Sequence, residues 1–132
     1  MNNSRSFFLS AFKSSLDPAT NLDRHYRLRA RLNDMGYKDN KVEGIGTYNN
    51  IPELMFVVSG DNNTENNIAL LAKEFNQDCY MVVYGSDSKA ELVFIDTNDR
   101  SPIGTMVNKG SEPNELKGKD YSFIGDKYYV VE

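Results

Sequence analysis

Two acidic residues of this sequence interrupt apolar patterns in a way that could serve chemistry. Glu53 opens an apolar run directly after Pro52, and Glu91 lies inside one, alternating with Val93 and Ile95. Each reads either as a strand-rim position with its carboxylate in water, the common situation for glutamate, or as a group held for a ligand. Gln77-Asp78, between a helical pattern and a strand pattern, is open to the same two readings. Acid–base and nucleophilic machinery built on histidine needs that histidine beside the acting group. The single His25 falls within a helical stretch, where a packed imidazole at the helix–sheet boundary is the simpler reading. Cys79 opens an apolar strand with no basic neighbour in sequence, the pattern of a small buried hydrophobe. This inventory argues against a serine- or cysteine-type hydrolase, and one Cys with one His excludes both an intramolecular disulfide and a zinc site of the usual kind.

Other spacings carry less. Gly44-x-Gly46 lacks the third glycine of a dinucleotide fingerprint, sits in a hairpin and opens no helix. Arg24, Arg27 and Arg31 share a helical face that would suit an anionic partner or simply be solvated. The net charge of −4 argues against nucleic acid as the main partner, since domains that neutralise phosphates are usually basic.

The elements that must position these residues follow from periodicity. Residues 6–12 read as a strand buried on both faces, and Asp17-Pro18 as a break. Thr20 is expected to cap a helix over 21–35 whose stripe is Leu22, His25, Leu28, Leu32 and Met35, with Gly36 as the left-handed C-cap. Residues 42–48 and 54–58 form a hairpin around Asn49-Asn50-Ile51-Pro52. The polar stretch 60–64 leads into a second helix carrying Ile68, Leu71, Ala72 and Phe75. Strands 79–84 and 90–95 follow, joined by a tight turn at Gly85-Ser86-Asp87. Residues 97–120 read as a long polar loop with one short strand at 103–107, and 121–131 as a closing hairpin around Gly125-Asp126.

The order βαββαβ implies an α+β fold: a ferredoxin-like sandwich with both helices on one face of an antiparallel sheet and additional C-terminal strands. At 132 residues with 39% hydrophobic content, the chain has the size and core material of one domain, spanning 1–132. The polar start and the short apolar run Phe7-Phe8-Leu9 fit neither a signal peptide nor a membrane span, so a cytoplasmic protein is expected.

Several blocks together resemble a known family. The run from Phe8 to Leu16 (Phe-Leu-Ser-Ala-Phe-Lys-Ser-Ser-Leu), Asn21-Leu22-Asp23-Arg24-His25, the segment from Tyr48 to Glu53, and Asn76-Gln77-Asp78-Cys79 are similar, in order and spacing, to phage-encoded S-adenosylmethionine lyases, formerly called S-adenosylmethionine hydrolases. The similarity runs from residue 7 to 94, two-thirds of the chain. The C-terminal part matches less well, and the segment between Tyr48 and Glu53 is shorter than in the family.

The resemblance implies a ferredoxin-like subunit in a homotrimer with substrate between subunits. It also implies breakdown of S-adenosyl-L-methionine to methylthioadenosine and L-homoserine lactone. It places Glu53 near the sulfonium and makes Ser10, Phe12, Tyr48, Gln77 and Asp78 pocket residues; Phe12 and Tyr48 can offer an aromatic face to adenine or the cation. No cofactor or metal is implied. The host enzyme that makes S-adenosylmethionine is a candidate partner, and the host bacterial cytoplasm is the implied location.

The chemistry tolerates so sparse an inventory. The substrate's own carboxylate attacks its γ-carbon and a neutral thioether leaves, so no proton moves in the bond-breaking step. Orientation alone can be worth roughly 7 kcal/mol or more in a well-placed intramolecular reaction. A carboxylate beside the sulfonium stabilises the reactant, which assigns Glu53 to binding and orientation, not to proton transfer. Hydrolysis to homoserine would need an activated water and a base that is not evident. The alternative from another class is a non-catalytic trimeric nucleotide-binding sensor or inhibitor of a host protein, which would bind the ligand and leave it intact.

Overall fold

The computed structural model describes residues 4–48, 51–111, 116 and 119–132. Its elements run β1 (Arg5–Leu9), α1 (Pro18–Asp34), β2 (Lys41–Tyr48), β3 (Ile51–Gly60), α2 (Asn62–Glu74), β4 (Cys79–Tyr84), β5 (Lys89–Phe94), β6 (Arg100–Gly110), β7 (Ser122–Ile124) and β8 (Lys127–Val131). The strands close into an eight-stranded antiparallel barrel in the order β1-β3-β2-β7-β8-β6-β5-β4. This corrects the ferredoxin-like sandwich expected from the sequence. The wall β4-β1-β3-β2 does not end in two free edges; β5, β6, β8 and β7 carry it round until β7 pairs with β2. Closure removes the exposed edges that an open sheet must otherwise protect.

Side-chain alternation splits the apolar residues into two cores. On the outer face of the wall, Phe7, Leu9, Phe56, Val58, Tyr80 and Val82 pack against Leu28 and Leu32 of α1 and Ile68, Leu71 and Ala72 of α2. In the lumen, Phe8, Met55, Val83 and Ala90 meet Met106, Ile124 and Val131. An eight-stranded barrel is narrow enough for side chains to fill it. Phe7 and Phe8 thus serve opposite cores, which is why β1 reads as apolar on both faces.

Local corrections have local causes. β1 ends at Leu9, not at residue 12, because Ser10 turns its hydroxyl onto the Leu54 carbonyl (2.8 Å). α1 begins at Pro18, with Asp17 rather than Thr20 as N-cap: the Asp17 carboxylate accepts the Thr20 N–H at 2.7 Å, and proline is preorganised for the first helical turn. Leu22, expected in the buried stripe, is 38% exposed. Pro52, expected in a turn, already belongs to β3 opposite Thr47. Asn49 and Asn50 of the expected turn lie outside the described residues.

The largest local difference is β6, which runs Arg100–Gly110 where only a short strand at 103–107 inside a long loop was expected. A register shift between Ala90 and Glu91 sets Gly104 opposite Ala90 and Pro102 opposite Glu91, so Ile103 has no partner there. A Cβ on Gly104, whose φ is +128°, would lie 2.4 Å from the Glu132 carbonyl oxygen. Gly104 is thus required by strand closure, not by a turn.

Candidate functional site

One end of the wall collects the exit of β1, the tip of the β2–β3 hairpin and the segment entering β4. Ser10 accepts the Phe12 N–H at 3.0 Å while donating to Leu54, and Gln77 Nε2 donates to the Phe12 carbonyl at 3.1 Å and to the Phe75 carbonyl at 3.3 Å. Both main-chain polar groups of Phe12 are therefore held by two other candidate residues. Arg24 adds a strut, its Nε donating to the Ala11 carbonyl at 2.7 Å and its Nη2 to that of Phe75. The half-buried Phe12 ring is thus set on a rigid loop at the end of the barrel.

Glu53 lies three residues before Phe56, on the β3 face that carries the lumen residue Met55, and is paired across the strand with Gly46. Gly44, opposite Met55, is needed because a Cβ there would sit 2.9 Å from the Phe123 carbonyl oxygen of β7. Gly44 of the Gly-x-Gly pair therefore serves barrel closure, whereas a Cβ on Gly46 would meet only ordinary contacts, 3.4 Å from Met55 Sδ at the nearest. Partial burial pushes the Glu53 carboxyl above its ordinary value, and its side chain forms no hydrogen bond or ion pair with the described residues. A partly buried carboxylate without a protein partner is held less favourably in its charged form, and a cation beside it would offset that cost.

The remaining candidates are placed less fully. Asp78 is exposed immediately before β4, its carbonyl accepting the Ile95 N–H at 2.9 Å. Tyr48 ends β2 opposite Ile51, and its side chain lies outside the described part of the structure. The structure thus brings Ser10, Phe12 and Gln77 into one bonded cluster and ties it, through the Ser10 hydroxyl, to Leu54, the residue beside Glu53.

A second polar region lies on the outer face between α2 and β4–β6. Glu65, 8% exposed, accepts Arg5 Nη1 at 2.9 Å, Arg100 Nη1 at 2.7 Å and the Tyr80 hydroxyl at 2.8 Å. Glu91 accepts Arg100 Nε at 2.8 Å and the Tyr84 hydroxyl. Burial alone would raise the Glu65 carboxyl, but hydrogen bonds from Arg100 and Tyr80 and the charges of Arg100 and Arg5 outweigh it and hold it below its ordinary value. Burial and the Glu65 contact push the Tyr80 phenol well above the usual range. A cavity of about 510 Å³ opens here, bordered by Arg5, Asn62, Glu65, Tyr80 and Arg100, and none of the rim candidates lines it. The cavity and the unpaired carboxylate are in different places; at the cavity Arg5, Glu65 and Arg100 already compensate one another, whereas Glu53 meets no described partner.

Arg27 pairs with Asp23 at 2.8 Å and Arg31 with Glu74 at 3.0 Å, so with Arg24 the whole arginine row is engaged within the chain. Sequence reasoning missed Glu65 and Arg100; no periodicity marks them, since their partners come from five separate elements. Burial raises the Cys79 thiol, in keeping with a strand residue and not a nucleophile.

Fold and site together define a small closed antiparallel barrel with an uncompensated carboxylate at one rim. Residues 7–132 match the family model described as the S-Adenosylmethionine lyase family, and the chain belongs to that family. Its activity is accordingly that of an S-adenosylmethionine lyase. A search of curated proteins found no match.

Proposed function

We propose that the enzyme cleaves S-adenosyl-L-methionine by attack of the substrate's own carboxylate on its γ-carbon. The new C–O bond closes L-homoserine lactone as the C–S bond breaks, and the electron pair of that bond leaves on methylthioadenosine. Carboxylate and sulfonium cancel each other's charge along this path, so a poorly solvated site favours the transition state. The observation that carries the assignment of the site is the Glu53 carboxylate, partly buried on the lumen-facing side of β3 and without a partner among the described residues. It would hold the sulfonium, with the Phe12 ring, fixed by Ser10 and Gln77, on a second side. Tyr48 and Asp78 complete the proposed pocket.

The assembly in this reading is a homotrimer whose neighbouring copy walls the rim. Leu22, Tyr26, Ile45 and Ile51, each more than a third exposed, supply apolar surface near the β2–β3 hairpin for such a contact. Carried by a phage, the enzyme would deplete the methyl donor of the bacterial host and so disarm restriction-type defence, with the host S-adenosylmethionine synthase as its physical partner.

The test is incubation with S-adenosylmethionine in H₂¹⁸O at neutral pH, with products followed by mass spectrometry. Unlabelled lactone should appear first, and homoserine formed from it later should carry ¹⁸O in its carboxylate. Label in the γ-hydroxyl would mean direct attack by water and overturn the mechanism.

A further inference from the structure

His25 is completely buried, yet its ring is only half satisfied. Nε2 hydrogen-bonds Glu43 of β2, whereas Nδ1 has no hydrogen-bond partner among the described residues. The imidazole stacks on Phe56 of β3, with ring centroids 4.5 Å apart and planes within 1°, and presents an edge contact to Phe12 at 6.2 Å. Glu43 is also gripped by Arg29 at 2.6 Å, and the His25 contact, followed by that of Arg29, holds its carboxyl below its ordinary value. A leucine would fill this core position without burying an unpartnered nitrogen. Packing therefore does not account for the histidine, while its placement does, because Phe12 lies on the exit of β1 whereas Phe56 and Glu43 are cross-strand partners in the β2–β3 hairpin, two of the segments that meet at the rim.

We infer that His25 is a positioning residue for the lyase reaction, fixing the Phe12 ring relative to the β2–β3 hairpin that carries Glu53; this rests on the rim site proposed above. With no acceptor at Nδ1, the ring proton belongs on Nε2, where it is donated to the ionised Glu43. The three contacts then set the imidazole plane, and the plane sets the approach of Phe12 to the strand pair. Loss of the Glu43 bond lets the ring rotate and loosens the angle between the two halves of the site. The groups that bind substrate stay present, so alignment suffers more than affinity.

The test compares wild type with His25→Leu, His25→Gln, Glu43→Ala and Glu53→Gln. His25→Leu and Glu43→Ala should each lower kcat at least about tenfold while KM changes less than about twofold, with melting temperatures close to wild type. His25→Gln, which restores a donor of similar reach, should recover most of the loss. Because the chain has one histidine, its imidazole gives a unique NMR signature. That signature should show a hydrogen-bonded Nε2–H in wild type and its loss in Glu43→Ala. Folded His25→Leu and Glu43→Ala with wild-type kcat, or activity falling only in proportion to the folded fraction, would overturn the inference. If His25→Leu does not fold, Glu43→Ala carries the test alone, since Glu43 is well exposed and outside the core. Impairment in Glu53→Gln without effect in the others refutes only the positioning role. Wild-type turnover in Glu53→Gln refutes the rim site and this inference with it.

Discussion

Glu53 and Glu65 are the same side chain in opposite surroundings. Glu65 is buried and Glu53 partly so, but Glu65 meets two arginines and a tyrosine, whereas Glu53 meets no described partner. The environment moves their acidities in opposite directions, Glu53 up through burial and Glu65 down because its partners outweigh burial. A saturated carboxylate is scaffold: it fastens α2 to β1, β4 and β6 and helps draw the polar β6 into the wall. An unsaturated one is an unfinished interaction, which in the proposed site a cationic substrate would complete.

The comparison can be broken most sharply at Glu53. Glu53→Gln should cost on the order of a hundredfold in kcat/KM, the scale of one lost charge-assisted contact, while thermal unfolding shows stability equal to or slightly above wild type. The reverse pattern is expected at the network: Arg100→Leu should destabilise the fold by about 2–3 kcal/mol in denaturant titrations, since Arg5 still compensates Glu65 in part, with little change in activity per folded molecule.

Acid titration should separate the two regions without mutation. Glu65, with its lowered carboxyl, contributes stability that is fully present above its unfolded value and lost only as the pH falls through the lower folded value. Glu53, with its raised carboxyl, becomes protonated at a higher pH, and with it the proposed hold on the sulfonium goes. On acidification, kcat/KM measured by product formation should therefore decline before circular dichroism reports unfolding. Tyr80→Phe is the smallest change, expected to cost about 1 kcal/mol of stability, because Glu65 keeps both arginines.

How much of this was legible in the sequence depended on the range of the interactions. The helices and the first five strands follow short-range patterns, as in Leu28/Leu32 and Ile68/Leu71/Ala72. The ferredoxin-like architecture failed because closure is decided by long-range pairing of polar segments. β6 has no fully buried residue, and its Pro102 and Gly104, which read as loop chemistry, sit at a bulge that the chain end covers. Within the site, the order of the short blocks pointed to Ser10, Phe12 and Gln77, and the structure adds that they hold one another. The partners of His25 could not be read, because Glu43 and Phe56 meet it only when α1 lies over β2 and β3. The Glu65–Arg100 network was hidden for the same reason.

The claim that Glu53 exists to meet a sulfonium is tested most directly with an inert pair of ligands. Decarboxylated S-adenosylmethionine keeps the cation but lacks the attacking carboxylate, and its demethylated thioether counterpart is neutral at sulfur. Calorimetry should find wild type binding the sulfonium at least about tenfold more tightly, a difference of ~1.4 kcal/mol, and Glu53→Gln binding the two alike. An unchanged preference in Glu53→Gln would contradict the account and place the cation elsewhere on the barrel.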